Sequence, residues 1–352
     1  MPIDIFAPAT LDIAVKQLPP APSFLKDKFF KRVQLEPTIK ILFDIYKGKR
    51  RVAPFVSPNN KAPVAEKIGY STNEAVAPLV SVKDITTIED TMKRTAGEIL
   101  INSGISPDER ALTLLAQTMT DFDEMITRRE EVMCAQALFE GKINVIGEDV
   151  NYTIDFGLTN KGTASVLWDA SSSTADPIED LKSWASQCAI KGYRTPNTCV
   201  MSRNAYNAFV KRCMALGYFD QKNFLDVSIK PERLEGGVTY AGRLLDPSMD
   251  IYIYEEWYID DWTDPDEPTE KPIIPKGHIL LGSTNAKATM YYGCLTFTDP
   301  KTDAFRTIMS RRGADSWVDK DPDGRYFKLC ARPLPTPQEI DSWYSAKVAA
   351  SE

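Results

Sequence analysis

The stretch LFEGKINVIGEDVNYTIDFG (residues 138–157) joins two different backbone patterns. Before Gly141, apolar residues recur at spacings of three, four and seven, which is typical of one face of a helix. After Gly141, the residues are those that favour strands. We therefore predict a helix from Ser106 to Glu140 that ends at Gly141 and leads directly into a strand pair over 142–157.

The predicted helix has a complete start signal. Ser106 can accept an N–H of the first turn, Pro107 suits the first helical position, and Glu109 can complete a capping box. At 1.5 Å per residue the helix spans on the order of 50 Å, whereas average helices have roughly 11 to 12 residues. This length indicates a structural spine more than a catalytic scaffold.

One apolar stripe follows this helix, and the other side is polar. We expect the stripe to be buried and the charged residues to stay in solvent. An isolated coiled-coil arm is the alternative, but the stripe lasts fewer than about five heptads and a strand pair follows at once. The stripe consists of Leu112, Leu115, Met119, Phe122, Ile126 and Met133, and the polar side includes Arg128, Arg129, Glu130 and Glu131.

Composition excludes several classes of protein. With 352 residues, 43% of them hydrophobic, the chain can bury a substantial core and is expected to form two or more lobes. No run of roughly 18 apolar residues occurs, and the N-terminus lacks the layout of a secretory signal, so we expect no membrane association and a cytosol-like environment. The net charge of −7 argues against wrapping of nucleic acid.

No motif indicates catalysis, a cofactor or a metal. The G-x-S-x-G, phosphate-loop, G-x-G-x-x-G and H-E-x-x-H patterns are absent, and the only histidine, His278, is expected at a strand end. The acidic segment 260–270 lacks the glycine of an EF-hand loop, so we interpret it as a solvated loop. Six scattered cysteines are interpreted as reduced and mostly buried: Cys134, Cys188, Cys199, Cys213, Cys294 and Cys330.

The N-terminal part of the chain is predicted to form two projecting elements. Residues 1–35 contain five prolines and little periodicity, which indicates an arm that lies over another surface. A basic run at 47–51 then opens the extended stretch RVAPFV (51–56), which turns at 57–60 and returns through 64–68. A two-stranded ribbon of this kind is marginal alone in water and needs a neighbour.

A second lobe is predicted after the polar segment ASSSTADP (170–177). Helices start near Asp176 and at Ser202, a strand lies at 198–202, and further strands lie at 238–245 and 251–257, which is an α+β pattern. We expect 251–259 to form a long hairpin with PIIPKGHILLG (272–282), and a short terminal helix to start at Thr336 and continue through Trp343.

This order of elements resembles the major capsid protein of lambda-like tailed phages, of the capsid protein E family. The stretches 138–157 and LGSTNAKATMYYGCLTF (281–297), with FVSP (55–58), carry the resemblance, which covers nearly the whole chain. It implies the Hong Kong 97 capsid fold, an α+β fold with these parts: an N-terminal arm (1–35), an extended loop (46–84), a peripheral domain (85–169) with its spine helix (106–140), an axial domain (170–285), and a return to the peripheral domain with a C-terminal helix (286–352).

The resemblance also implies a structural function. Hexamers and pentamers would close an icosahedral phage head that encloses double-stranded DNA without sequence-specific binding. It would assemble in the host cytoplasm with a separate scaffolding protein, a portal and a decoration protein. A nanocompartment shell of the same fold is the alternative, and an acidic enzyme with an unrecognised motif is a third. The candidate intersubunit contacts are Lys47, Lys49, Arg50, Arg51, Phe55, Ser57 and Pro58, although a solvated charged turn explains the basic run equally well.

Overall fold

A computed structural model describes most of the chain. The exceptions are residues 1–7, 19–20, 47–51, 58–60, 62–63, 65–69, 93–106, 148, 171–173, 219–226, 262–267, 299–303, 321–322 and 351–352. The described α-helices are α1 (Pro8–Gln17), α2 (Leu25–Phe29), α3 (Ile88–Met92), α4 (Pro107–Ala135), α5 (Pro177–Lys191) and α6 (Arg203–Ala215).

The long helix is present. Helix α4 continues without a break as a π-helix, Gln136–Glu140, and Gly141 ends it in the left-handed conformation with φ 72°. A β-carbon at Gly141 would lie 2.2 Å from the β-carbon of Leu158, so a glycine is required by both the dihedral angle and the close approach. The predicted end is confirmed, whereas Ser106 lies outside the described residues.

The strands are short and numerous. They are β1 (Arg32–Leu35), β2 (Lys40–Tyr46), β3 (Tyr70–Val76), β4 (Val80–Thr87), β5 (Lys142–Gly147), β6 (Val150–Asp155), β7 (Lys161–Thr163), β8 (Thr198–Met201), β9 (Val227–Arg233), β10 (Val238–Leu244), β11 (Met249–Tyr254), β12 (Trp257–Ile259), β13 (Glu270–Pro272), β14 (His278–Gly282), β15 (Ala288–Tyr292), β16 (Leu295–Thr298), β17 (Phe305–Ile308), β18 (Gly313–Lys320), β19 (Asp323–Ala331), β20 (Pro333–Pro337) and β21 (Tyr344–Lys347).

Sheets and helices combine in an α+β fold. A seven-stranded sheet has the order β7-β21-β14-β8-β11-β10-β9 and carries α5 and α6, with which it shares one hydrophobic core. Two three-stranded sheets have the orders β1-β15-β20 and β18-β19-β4, and β2-β3, β5-β6, β12-β13 and β16-β17 are two-stranded. The strand pair after the long helix is therefore confirmed as β5-β6, paired from Lys142↔Asp155 to Gly147↔Val150.

The predicted long hairpin between 251–259 and 272–282 is wrong. Strand β8 lies between β11 and β14 and separates them. It runs parallel to β11 and antiparallel to β14. Only the short strands β12 and β13 form a hairpin. All four residues of β8 are buried, so burial and not chain proximity decides which strands meet.

The predicted terminal α-helix is also wrong. Residues 333–337 pair with β15 as β20, a single 3-10 turn follows at Ile340–Ser342, and the chain returns to the seven-stranded sheet as β21. The Thr336 hydroxyl, which would cap a helix, instead lies fully buried in the sheet. Sheet pairing overrides a local capping pattern because it satisfies more backbone groups.

The N-terminal segment packs on its own chain. Leu11 and Val15 of α1 lie in a core with α4 and the β18-β19 pair, and β1 pairs in parallel with β15. The low periodicity of residues 1–35 did not predict this helix. All six cysteines are free and buried as expected, and His278 begins β14. Within the described residues, no helix is both long and apolar enough to cross a membrane.

Candidate assembly surface and a buried charge cluster

The projecting ribbon is paired at its base. Strands β2 and β3 are antiparallel from Lys40↔Val76 to Tyr46↔Tyr70, whereas residues 52–57 lie outside any strand. The pairing therefore begins before the stretch from which the ribbon was predicted. Alternate side chains of β2 are buried, and the Phe43 ring lies 5.8 Å from that of Phe156, which attaches the base to the body of the protein.

Beyond the base, apolar side chains face solvent. Val52 is 91% exposed, Phe55 106% and Val64 97%. Three large apolar side chains exposed to this extent within residues 52–64 make this segment a candidate contact surface, because single exposed apolar residues are normal whereas several in one segment are less common. Among the predicted contact residues, Phe55 and Ser57 are exposed. Lys47, Lys49, Arg50, Arg51 and Pro58 lie outside the described residues.

A buried charge cluster joins the N-terminal segment to the long helix. The Lys26 Nζ lies 2.8 Å from Glu130 Oε2, and Arg312 Nη1 lies 2.5 Å from Glu130 Oε1. Arg312 also donates to Asp123 over 2.6 Å and to the Thr127 hydroxyl over 3.0 Å. Burial by itself would raise the pKa of Glu130, but the charges of Arg312 and Lys26 outweigh it and hold that pKa below its ordinary value.

Glu131 caps the start of α2. Its carboxyl accepts the backbone N–H groups of Phe24, Leu25 and Lys26, and the Tyr254 hydroxyl donates to it over 3.2 Å. Burial raises the pKa of Glu131, although these donors oppose the shift. Tyr254 belongs to β11, so Glu131 connects the N-terminal segment, the long helix and the seven-stranded sheet.

The prediction that Glu130 and Glu131 stay in solvent is wrong. They are 0% and 3% exposed, because α2, the segment containing Arg312 and β11 cover the side of α4 that was expected to face water. One sequence signal could have shown this. From residue 132 to 139 the chain reads VMCAQALF, which is apolar almost all round and typical of a fully buried helix.

The acidic segment 260–270 is only partly solvated. Asp260 is 7% exposed and lies 3.4 Å from Arg129 and 3.9 Å from Lys271, so it belongs to an ion-pair network. Residues 262–267, which hold three more acidic side chains, lie outside the described residues. In the part of the chain that the structure describes, no group of three or more His, Cys, Asp or Glu could hold a metal ion.

Comparison with known proteins decides the family. The family described as "Phage major capsid protein E" matches residues 7–348. The chain belongs to the phage major capsid protein E family. The capsid protein is 24% identical to the major capsid proteins of Escherichia phage lambda and Escherichia phage N15, over 93% of this chain and 94% of each relative.

Solved structures show the same fold. The putative capsid protein of a prophage from E. coli CFT073 superposes with a TM-score of 0.67 at 21% identity, covering 96% of this chain and 95% of that one. A phage-related protein from Bordetella bronchiseptica RB50 gives a TM-score of 0.51 at 12% identity, covering 97% of both chains. The expected α+β capsid fold is therefore confirmed.

The role of the capsid protein is structural. It is a major capsid protein of lambda-like phages and forms the shell of the phage head. The nanocompartment alternative is less supported, because the matching family and the curated relatives are phage head proteins. Membership of a structural capsid family indicates a role other than catalysis.

Proposed function

We propose that the capsid protein forms hexamers and pentamers that close an icosahedral shell around double-stranded DNA, and that the ribbon tip, residues 47–64, holds adjacent subunits together. The observation that carries this proposal is the exposure of Val52, Phe55 and Val64. Burying such a side chain is worth about 1.5–3 kcal/mol. A subunit that leaves all three in water gains this free energy only against a partner.

The basic run before the exposed residues supplies the polar part of the contact. Lys47, Lys49, Arg50 and Arg51 would pair with acidic residues of a neighbour, and Phe55, Ser57 and Pro58 would pack against it. The net charge of −7 keeps the enclosed DNA from adhering to the shell, because an acidic surface repels phosphate. This favours enclosure of DNA without sequence-specific binding.

The remaining assignments follow the family. We propose an arm at 1–35, an extended loop at 46–84, a peripheral domain at 85–169, an axial domain at 170–285 and a return at 286–352. The strands β7 and β21 add to the axial sheet from outside 170–285. A scaffolding protein, a portal and a decoration protein would complete the head, which would be assembled in the host cytoplasm.

The test is a ribbon reversal, in which Lys49, Arg50 and Arg51 are replaced together by Glu. The variant should keep its circular dichroism spectrum but yield no shells in electron micrographs. The introduced glutamates would face the acidic residues of the neighbouring subunit and repel them. The control variant reverses three exposed lysines outside the ribbon (Lys31, Lys161 and Lys191), which changes net charge equally. Normal shells from the ribbon reversal would contradict the intersubunit role.

A further inference from the structure

A short helix near the N-terminus lies between the long helix and the seven-stranded sheet. Helix α2 has five residues, of which Leu25, Lys26 and Phe29 are buried. The Phe29 ring reaches the backbone of β14, since a β-carbon at Gly282 would lie 2.7 Å from its Cε1. Residues of α2 share one hydrophobic core with the C-terminal part of α4 and with β11 and β14. We call residues 24–30 the clasp.

One carboxylate of the long helix holds the clasp. Glu131 accepts the backbone N–H groups of Phe24 and Lys26 over 3.0 and 3.1 Å, and that of Leu25 between them. The same carboxylate accepts the hydroxyl of Tyr254, on β11, over 3.2 Å. All four donors are neutral groups, three from the clasp and one from the sheet.

This arrangement couples the positions of three elements. Glu131 is 3% exposed, and a buried carboxylate costs free energy unless its oxygens keep their hydrogen-bond donors. If α2 or β11 moved away from α4, the carboxylate would lose donors that no water replaces. The long helix, the clasp and the seven-stranded sheet are therefore most stable in one relative orientation.

A second set of contacts fastens the clasp to the sheet. Lys28 Nζ donates to the Tyr252 hydroxyl over 2.8 Å and lies 4.3 Å from the centre of its ring. The Phe24 ring lies 5.3 Å from the ring of Tyr252 and 5.5 Å from that of Tyr254. Both tyrosines belong to β11. A rotation of the sheet against the long helix would thus break contacts on one side of the clasp or the other.

We propose that the clasp fixes the angle between the long helix and the seven-stranded sheet, and that Glu131 is the positioning residue that sets this angle. The inference rests on the proposed function, which assigns the helix to the peripheral domain and most of the sheet to the axial domain. The angle between these parts determines how strongly each subunit curves the shell. A fixed angle gives shells of one diameter, and a loosened clasp gives several.

Two variants loosen the clasp without emptying the core. Glu131→Gln removes the charge of the acceptor, and Tyr254→Phe removes only the hydroxyl donor on β11. In unassembled Glu131→Gln subunits, the amides of residues 24–26 should exchange hydrogen at least about tenfold faster than in the unmodified chain. Electron micrographs should show a broader range of shell diameters for Glu131→Gln, and a smaller broadening for Tyr254→Phe. If Glu131→Gln yields no soluble protein, the diameters of Tyr254→Phe shells decide.

The control variant, Leu115→Ala, weakens the fold away from the clasp. Leu115 packs in a separate core with α1 and the β18–β19 pair. It should give fewer shells of unchanged diameter, because a general loss of stability does not alter the angle. Unchanged diameters in the clasp variants, or equal broadening in the control, would overturn this inference and leave the proposed function standing. If the unmodified chain forms no closed shells, the proposed function fails and this inference fails with it.

Discussion

Replacing Glu130 by glutamine removes the counter-charge of two buried cations. The side chain of Glu130 is 0% exposed, and those of Lys26 and Arg312 are 8% and 7% exposed. Arg312 keeps Asp123 as a partner, but Lys26 loses the carboxylate 2.8 Å from its Nζ. Breaking a buried ion pair on one side costs about 3–5 kcal/mol, because the remaining charge stays desolvated. We expect the free energy of unfolding to fall by this amount.

The matched control makes the same substitution in an exposed pair. Lys40 Nζ lies 2.7 Å from Glu74 Oε1, but the two side chains are 66% and 50% exposed. Glu74→Gln should therefore cost no more than about 1 kcal/mol. Both variants are compared with the unmodified chain as dilute, unassembled subunits, by urea unfolding followed through tryptophan fluorescence.

The midpoint of unfolding reports the difference. With a slope on the order of 3 kcal/mol per molar urea, Glu130→Gln should lower the midpoint by about 1 M or more, and Glu74→Gln by about 0.3 M or less. Equal midpoints for the two variants would refute the reasoning, because they would mean that burial adds nothing to the cost of losing the charge.

Three further predictions concern the helix and its end. Gly141→Ala should destabilise the folded state by more than about 2 kcal/mol, because φ is 72° and the new β-carbon meets Leu158. The control, Gly157→Ala, has a similar φ of 73° but nothing within 4 Å of the new β-carbon, so it should cost only about 1–2 kcal/mol. Thermal unfolding of the two variants measures the difference. Leu115→Asp should give insoluble protein, since it places an unpaired charge on the buried stripe; soluble, folded protein would show that the stripe is exposed. Acid should also destabilise the fold through Glu130. Burial by itself would raise the pKa of Glu130, but the charges of Arg312 and Lys26 hold it below its ordinary value of 4.5. The stability that ionised Glu130 contributes is therefore complete above that pH and is lost as the pH falls through the lowered pKa of the folded state. Glu130→Gln should flatten this part of a plot of stability against pH.

The long helix could be predicted because its determinants are local. A stripe at helical spacing, a start signal at Pro107 and a glycine at 141 lie within one segment, and each needs no knowledge of distant residues. The helices α5 and α6 could be placed for the same reason. Asp176 accepts the N–H groups of residues 178 and 179, and Ser202 that of residue 205.

Strand partners and buried charges were not predictable in this way. Which strand lies beside β8 depends on residues about 50 and 80 positions further along the chain, and no local pattern specifies such a choice. Glu130 and Glu131 look like solvent residues in sequence. Only the packing of α2 and β11 on α4 turns them into the centre of a buried network.

By itself, the sequence determined where α4 ends, where α5 and α6 begin, that the fold is α+β, and that residues 47–56 are rich in basic and apolar side chains. Backbone propensity, periodicity and charge are properties of short segments. The tertiary structure alone decided what surrounds these segments: the pairing of β8, the burial of Glu130, and the contact of Glu131 with the start of α2. These depend on contacts between segments far apart in the chain, whose free energy arises only when the segments meet.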